Sequence, residues 1–136
     1  MIEDNATDVL LLRRAMGRAG MHDVLHSAED ATVAGHWLAA RVNADEPMPD
    51  LILLDLNLPG IDGLEILKRL RSIADLSSVP MVMYSSSTRA EDMALAKRLS
   101  ASYYFVKPTR PEDFDNLVEV LGELVKWPDH GGWTAR

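Results

Sequence analysis

Blocks of apolar and polar residues alternate along the chain and predict strands and helices in turn. Three continuous apolar runs are typical of strands buried on both faces of a parallel sheet. They are residues 51–54, 81–84 and 103–106. Met1 and Ile2 form part of a fourth run, and Val24 with Leu25 predicts one more short strand.

Between these runs, apolar residues recur at helical spacing and predict five helices. The predicted helices cover residues 9–19, 29–42, 63–73, 89–99 and 110–126. Gly20 is placed to end the first helix, and Pro111 lies in the first turn of the last one. Alternating strands and helices predict an α/β sandwich around a parallel sheet.

Reactive residues follow the predicted strands directly. Glu3 and Asp4 come after the first run, Asp55 after residues 51–54, and Ser85 and Lys107 after the last two runs. In an open parallel sheet, ligands bind outside the carboxyl ends of the strands. We therefore expect these five side chains to converge although they span most of the sequence.

Three carboxylates about 5 Å apart would repel by a few kcal/mol per pair at an effective dielectric near 20. A hard divalent cation with oxygen ligands relieves this repulsion, and Mg²⁺ fits best. Lys107 supplies a second positive charge that can pair with a carboxylate or a phosphoryl oxygen. Such a pocket performs phosphoryl transfer with a carboxylate as nucleophile.

An acyl phosphate on Asp55 would bring about -1.5 to -2 charge and three strong acceptors into the pocket. Ser85 is placed to be drawn toward that group, and the loop before the fourth helix would follow. The ring of Tyr104, on the neighbouring strand, is predicted to turn into the space that opens.

Composition limits the classes of function. The 136 residues are 47% apolar and 26% charged, which suits a single globular domain. A net charge of -7 argues against direct nucleic-acid binding. The chain has no cysteine for disulfides or thiolate metal sites, and neither a signal peptide nor a membrane-spanning run is recognisable. We expect a cytoplasmic protein without membrane contact.

Four segments, in this order and spacing, resemble the response-regulator receiver family. They are residues 3–5 (EDN), residues 55–63 (DLNLPGIDG), Ser85 five residues after Pro80, and residues 104–108 (YFVKP). The resemblance implies a doubly wound (βα)5 flavodoxin-like sandwich whose five parallel strands are ordered 2-1-3-4-5. The receiver domain would cover residues 1–126, followed by a C-terminal tail at 127–136.

The resemblance also implies roles around the metal. Asp55 would be the phosphoacceptor and Asp4 a direct Mg²⁺ ligand. Glu3 would bind the metal mostly through water, and Asn57 through its backbone carbonyl.

The remaining roles concern the phosphoryl group and the response to it. Lys107 would contact the phosphoryl group, and Ser85 and Tyr104 would be the switch pair. The peptide bond between Lys107 and Pro108 would be cis.

The function implied is that of a single-domain response regulator. It would accept a phosphoryl group from a sensor histidine kinase and catalyse only its own phosphorylation and dephosphorylation. Residues 114–128 are similar to stand-alone regulators paired with phytochrome-type kinases. A homodimer is predicted through the helix at 89–99, the Tyr104 strand and the last helix, or through the tail with Trp127 and Trp133.

Two alternatives remain open at this point. One is a pseudo-receiver, a binding module with the fold but no phosphorylation. The other is a Mg²⁺-dependent phosphohydrolase of the haloacid-dehalogenase type, although that class needs an acid where Asn57 stands. A further departure is that only two residues precede Glu3, whereas a central strand should have about five. Two explanations stay open: either residues upstream of Met1 complete the strand, or the protein tolerates a shortened strand that leaves neighbouring ladder groups unpaired.

Overall fold

The structure, a computed structural model, describes residues 1–22 and 24–125. The helices within these ranges are α1 (Ala6–Arg18), α2 (Ala31–Asn43), α3 (Gly63–Arg71), α4 (Ala90–Arg98) and α5 (Phe114–Val125). The strands are β1 (Ile52–Asp55), β2 (Met81–Ser85) and β3 (Tyr103–Val106), and short 3-10 turns form at Ala74–Leu76 and Pro111–Asp113. The tail predicted at residues 127–136 lies outside the described residues.

The three strands form a parallel sheet in the order β1-β2-β3. Ile2 extends this order through single parallel bridges, to Leu54 on one side and to Ala28 on the other. The spatial order is therefore Ala28, Ile2, β1, β2, β3, which matches the predicted order 2-1-3-4-5. The doubly wound flavodoxin-like fold is confirmed, with its first two strands reduced to bridges.

The strand predicted at Val24 and Leu25 is wrong in position. Pairing occurs at Ala28, whose N–H donates to the Met1 carbonyl at 2.9 Å. The first segment of the chain joins the sheet at Ile2. A residue of the second segment can pair with it only where that segment runs beside Ile2. That segment passes Ile2 at Ala28, three residues beyond Leu25.

Alternate residues of the strands face two separate cores. Ile52 and Leu54 of β1 pack on the side covered by α2, α3 and α4. Leu53 packs with Val82 and Phe105 on the side covered by α1 and α5. Because side chains alternate along a strand, the apolar runs of β1 and β2 bury both faces, as the sequence pattern indicated. The same expectation is wrong for β3, which lies at the edge of the described sheet with Tyr103 and Val106 exposed.

Two details of the last strand and helix differ from expectation. Residues 111–113 form a 3-10 turn, so α5 begins as an α-helix only at Phe114. The bond between Lys107 and Pro108 is trans, as are all peptide bonds among the described residues. The cis form implied by the resemblance is thus wrong here, and the trans form is the one that X-Pro bonds intrinsically favour.

A largely apolar cavity of about 500 Å³ lies at the amino ends of the strands, beside the shortened first strand. Met1, Leu12, Trp37 and Leu53 are among the residues that line it. The cavity lies at the edge of the sheet opposite to the reactive residues. The residues at the carboxyl ends of the strands do not line this cavity.

Gly63, the first residue of α3, lies too close to the end of β1 for any side chain. A Cβ there would be 2.5 Å from the Asp55 carbonyl oxygen and 2.6 Å from the Leu56 Cα. We predict that Gly63→Ala lowers the free energy of unfolding by about 2 kcal/mol, because backbone must move to relieve the overlap. Urea denaturation measures this change.

Gly35, inside α2, provides the matched control. No atom lies within 4 Å of a Cβ built there, so Gly35→Ala should raise stability by about 0.5–1 kcal/mol through helix propensity. Equal effects of the two substitutions would contradict the packing argument.

Candidate functional site

An acidic cluster forms where the Ile2 bridge and β1 end. Carboxylate oxygens of Glu3, Asp4 and Asp55 all lie within 4.8 Å of one another. Glu3 and Asp55 are buried, whereas Asp4 is exposed. The Ile2 N–H donates to the Leu53 carbonyl at 2.8 Å, and this pairing sets the acidic pair beside Asp55.

Lys107 brings its ammonium group into this cluster from the end of β3. Its Nζ lies 2.9 Å from Glu3 Oε2, 3.0 Å from Asp8 Oδ2 and 3.3 Å from Asp55 Oδ2. The Lys107 backbone N–H donates to the Ser85 carbonyl at 2.8 Å, which fixes the base of the side chain. The predicted convergence of strand-end residues is thus present in the structure.

Burial and charge shift the pKa values of the paired groups. Burial raises the pKa of Glu3 from 4.5 to about 7, even though the Lys107 ammonium acts to lower it. Burial alone would lower the pKa of Lys107, but its contacts with Glu3, Asp8 and Asp55 outweigh burial and raise it. Lys107 therefore stays protonated, while Glu3 changes charge near neutral pH.

Asn57 lies on the exposed side of Asp55. Its backbone N–H donates to Asp55 Oδ1 at 3.0 Å, while Asp55 Oδ2 faces Lys107. The two oxygens of Asp55 are thus held by different partners. This arrangement fixes the orientation of the carboxylate.

Asp8 is a pocket residue that the sequence reasoning missed. It lies in the first turn of α1, and Lys107 Nζ donates to its Oδ2 at 3.0 Å. The available signal was an acid four residues after Asp4, since this spacing equals about one helical turn. It was overlooked because acids in a first helical turn are common for helix stability alone.

Tyr84 is a second pocket residue that the sequence analysis did not predict, because it lies within an apolar run that indicates a buried strand. Its side chain is fully buried, and Lys107 Nζ lies 4.9 Å from the centre of its ring. Its hydroxyl has no hydrogen-bond partner among the described residues. Burial first, and then the charges of Asp8, Glu3 and Asp55, raise the pKa of this phenol.

The two predicted switch residues meet at Ser87. Ser87 N–H donates to Ser85 Oγ at 3.0 Å, and the Tyr104 hydroxyl donates to the Ser87 carbonyl at 3.0 Å. Ser87 Oγ donates to Asp92 of α4 at 2.6 Å. One loop residue therefore links Ser85, Tyr104 and the start of α4. The Tyr104 ring is already half-buried against the core.

The surface of β3 and α4 carries exposed apolar side chains. Tyr103 is 45% exposed, Val106 38% and Leu95 36%. β3 is the edge strand of the described sheet. Tyr103 and Val106 lie on the same strand as Tyr104.

The donor set fits a hard divalent cation. The cluster offers carboxylate oxygens, which Mg²⁺ and Mn²⁺ prefer over nitrogen or sulfur. Glu3 Oε2 is buried and accepts no hydrogen bond from the described residues, its neighbour being the Lys107 ammonium.

Within the described residues, no helix has the length and apolar character needed to cross a membrane. The predicted tail residues Trp127 and Trp133 lie outside the described part.

Comparison with known proteins gives consistent matches. The family model described as "Response regulator receiver domain" matches residues 1–119. The Probable methanogenesis regulatory protein FilR2 of Methanothrix harundinacea is 30% identical over 123 residues, which are 90% of this chain and 79% of FilR2.

Two solved structures resemble the fold closely. The phosphorylated cyanobacterial phytochrome response regulator RcpA has a TM-score of 0.77 at 31% identity, covering 90% of this chain and 88% of RcpA. The Mn²⁺-bound form of Rcp1, a response regulator of Synechocystis, has a TM-score of 0.71 at 26% identity over 90% of this chain and 88% of Rcp1.

These relatives favour neither a pseudo-receiver nor a phosphohydrolase. The match extends over the ends of all the strands that carry the acidic cluster and Lys107. The chain therefore belongs to the response-regulator receiver family of phosphorylatable signalling proteins.

Proposed function

We propose that Asp55 is the phosphoacceptor of this regulator and that Mg²⁺ is its cofactor. The observation that carries the proposal is the buried Asp55 carboxylate, which lies between an acidic pair and the Lys107 ammonium. Glu3, Asp4 and Asp55 would hold the metal, together with the backbone carbonyl of Asn57. The Mn²⁺-bound form of Rcp1 supports a divalent cation in a related protein.

The chain's own residues position the reacting groups. An oxygen of Asp55 attacks the phosphorus of a phosphohistidine on the sensor kinase, the P–N bond breaks, and the imidazole leaves with its electron pair. The Asn57 N–H holds Asp55 Oδ1, so the carboxylate cannot rotate freely. Lys107 offsets negative charge on the phosphoryl oxygens, and a bound Mg²⁺ would supply further charge neutralisation. Water later attacks the same phosphorus, the bond between phosphorus and the Asp55 oxygen breaks, and inorganic phosphate leaves, which restores the Asp55 carboxylate.

Ser85 and Tyr104 form the proposed switch. The Ser85 hydroxyl proton can be donated to a phosphoryl oxygen while its Oγ still accepts from Ser87. Movement of Ser85 is passed through Ser87 to Tyr104 and to Asp92 at the start of α4. The signal would leave through the exposed apolar surface of β3 and α4.

We propose a phytochrome-type sensor histidine kinase as partner and a homodimer through the surface of α4, β3 and α5 or through the tail. RcpA, a phytochrome response regulator, supports the kinase class. The exposed Tyr103, Val106 and Leu95 support an interface. Faster phosphotransfer from a phytochrome-type kinase than from unrelated kinases is expected, and no preference would contradict this partner.

Sedimentation with and without beryllofluoride tests the dimer.

The phosphoacceptor is tested with acetyl phosphate and Mg²⁺. We predict that the intact mass of the wild-type protein increases by one phosphoryl group, and that Asp55→Asn and chelation of Mg²⁺ each abolish the increase. Asp75→Asn is the control, because Asp75 is an exposed acid in a 3-10 turn away from the pocket. An adduct that persists in Asp55→Asn would overturn the assignment.

The raised pKa of Glu3 predicts a loss of stability with increasing pH. The unfolded state releases the Glu3 proton near pH 4.5, whereas the folded state keeps it to about pH 7. The folded state therefore binds more protons between these values, and stability falls as pH rises through this window. Without metal, wild type should lose on the order of 1 kcal/mol more than Glu3→Gln between about pH 5 and about pH 7.5.

Denaturation in EDTA across this pH range measures the difference between the two proteins. Added Mg²⁺ should restore stability to the wild type at the upper pH more than to Glu3→Gln, since a cation favours the ionised carboxylate. Parallel stability curves for the two proteins would show that Glu3 does not titrate in this window.

The switch depends on the hydrogen bond from Tyr104 to Ser87. We predict that Tyr104→Phe reduces the beryllofluoride-induced NMR shifts of α4 amides, because the ring is no longer tied to the Ser87 carbonyl. Tyr103→Phe is the control, since Tyr103 is the preceding residue on the same strand and its ring is exposed. Full-sized α4 shifts in Tyr104→Phe would exclude this hydroxyl from the switch.

A further inference from the structure

The Lys107 ammonium is shared by more carboxylates than the proposed metal site uses. Glu3, Asp8 and Asp55 each place an oxygen within 3.3 Å of Nζ. An ammonium group has three N–H donors and no acceptor. Nζ donates to Asp8 and Asp55 and is in ion-pair contact with Glu3, so a phosphoryl oxygen that approaches Nζ competes with these carboxylates for its positive charge.

Asp8 differs from the other two acids in its surroundings. Glu3 and Asp55 belong to the oxygen cluster that suits a divalent cation, and Asp8 does not. A bound cation would attract Glu3 and Asp55 and weaken their interaction with Lys107. The interaction of Asp8 with Lys107 would persist, because Lys107 would remain the cation beside it. With a cation bound, Asp8 would therefore be the principal competitor for the ammonium.

The position of Asp8 makes this competition effective. Its side chain is 18% exposed and that of Lys107 19% exposed, so water screens the pair only partly. Asn5 Oδ1 accepts from the Asp8 N–H at 3.3 Å, which ties Asp8 to the capped start of α1. Asp8 therefore belongs to the capped first turn of α1, and its side chain meets Lys107 there.

Tyr84 favours the same resting place for Lys107. Its buried ring belongs to the core covered by α1 and α5, and Lys107 Nζ lies 4.9 Å from the ring centre. A cation over an aromatic ring is attracted to it. Asp8 on α1 and Tyr84 on β2 thus act together on the ammonium.

We propose that Asp8 is a positioning residue that holds Lys107 in the unphosphorylated state and competes with the phosphoryl group for it. This inference rests on the proposed function of Asp55. It assigns Asp8 a defined effect: the carboxylate limits how strongly the pocket retains a phosphoryl group. Phosphorylation succeeds when the new charge on Asp55 outweighs the hold of Asp8.

The test uses Asp8→Asn with two affinities measured by calorimetry. At saturating Mg²⁺, beryllofluoride should bind about fivefold more tightly than to wild type, the effect of losing one partly buried ion pair. Without beryllofluoride, Mg²⁺ should bind more weakly than to wild type. Lys107, released from Asp8, then contacts Glu3 and Asp55 more firmly and competes with the metal.

Opposite changes in the two affinities separate positioning from structural damage, which would weaken both. Asp115→Asn is the matched control, because it removes one acid and its ion pair with Arg18 at the surface between α1 and α5. It should leave both affinities unchanged. Beryllofluoride affinity that is unchanged or weaker in Asp8→Asn overturns the inference.

Failure of the proposed function gives a different result. Wild type should bind beryllofluoride only with Mg²⁺ present, and Asp55→Asn should not bind it. Wild type that binds no beryllofluoride contradicts the proposed function, and the inference about Asp8 with it.

Discussion

Repulsion among carboxylates at one edge of the sheet is the constraint on which the site depends. A parallel sheet brings the ends of its strands together, and here those ends carry Glu3, Asp4 and Asp55. Lys107, at the end of β3, offsets part of this charge through its contacts with Glu3 and Asp55. The remaining negative charge favours a cation, and the cation in turn favours a phosphoryl group. Binding and chemistry in this pocket therefore follow from the same imbalance of charge.

Much of the fold could be predicted because it depends on the period of the apolar pattern. Runs such as residues 81–84 mark strands buried on both faces, and β2 indeed contributes to both cores. The place of the acidic cluster was also predictable, since strand ends in a parallel sheet must meet. The second strand was misplaced because pairing at Ala28 depends on where the chain passes Ile2, which no local pattern records.

The parts of the site that escaped prediction depend on the reach of side chains across elements. Asp8 looks like an ordinary acid of a helix start until Lys107, 99 residues away, is found beside it. Tyr84 reads as an apolar strand residue, although its ring lies against the ammonium. Ser87 connects Ser85 to Tyr104 through its backbone, and backbone contacts of a loop leave no trace in residue type.

The bridge at Ile2 has a consequence for the order in which the pocket forms. Glu3 and Asp4 join the sheet through backbone hydrogen bonds of this one segment, whereas Asp55 and Lys107 end full strands. The described hydrogen bonds of this segment are few, and segments with few contacts open at a smaller cost than the whole fold. A cation that binds all three acids stabilises the closed arrangement by mass action. Under the proposed function, the pocket would thus be completed by its own ligand, and the cation concentration would set the fraction of molecules ready to be phosphorylated.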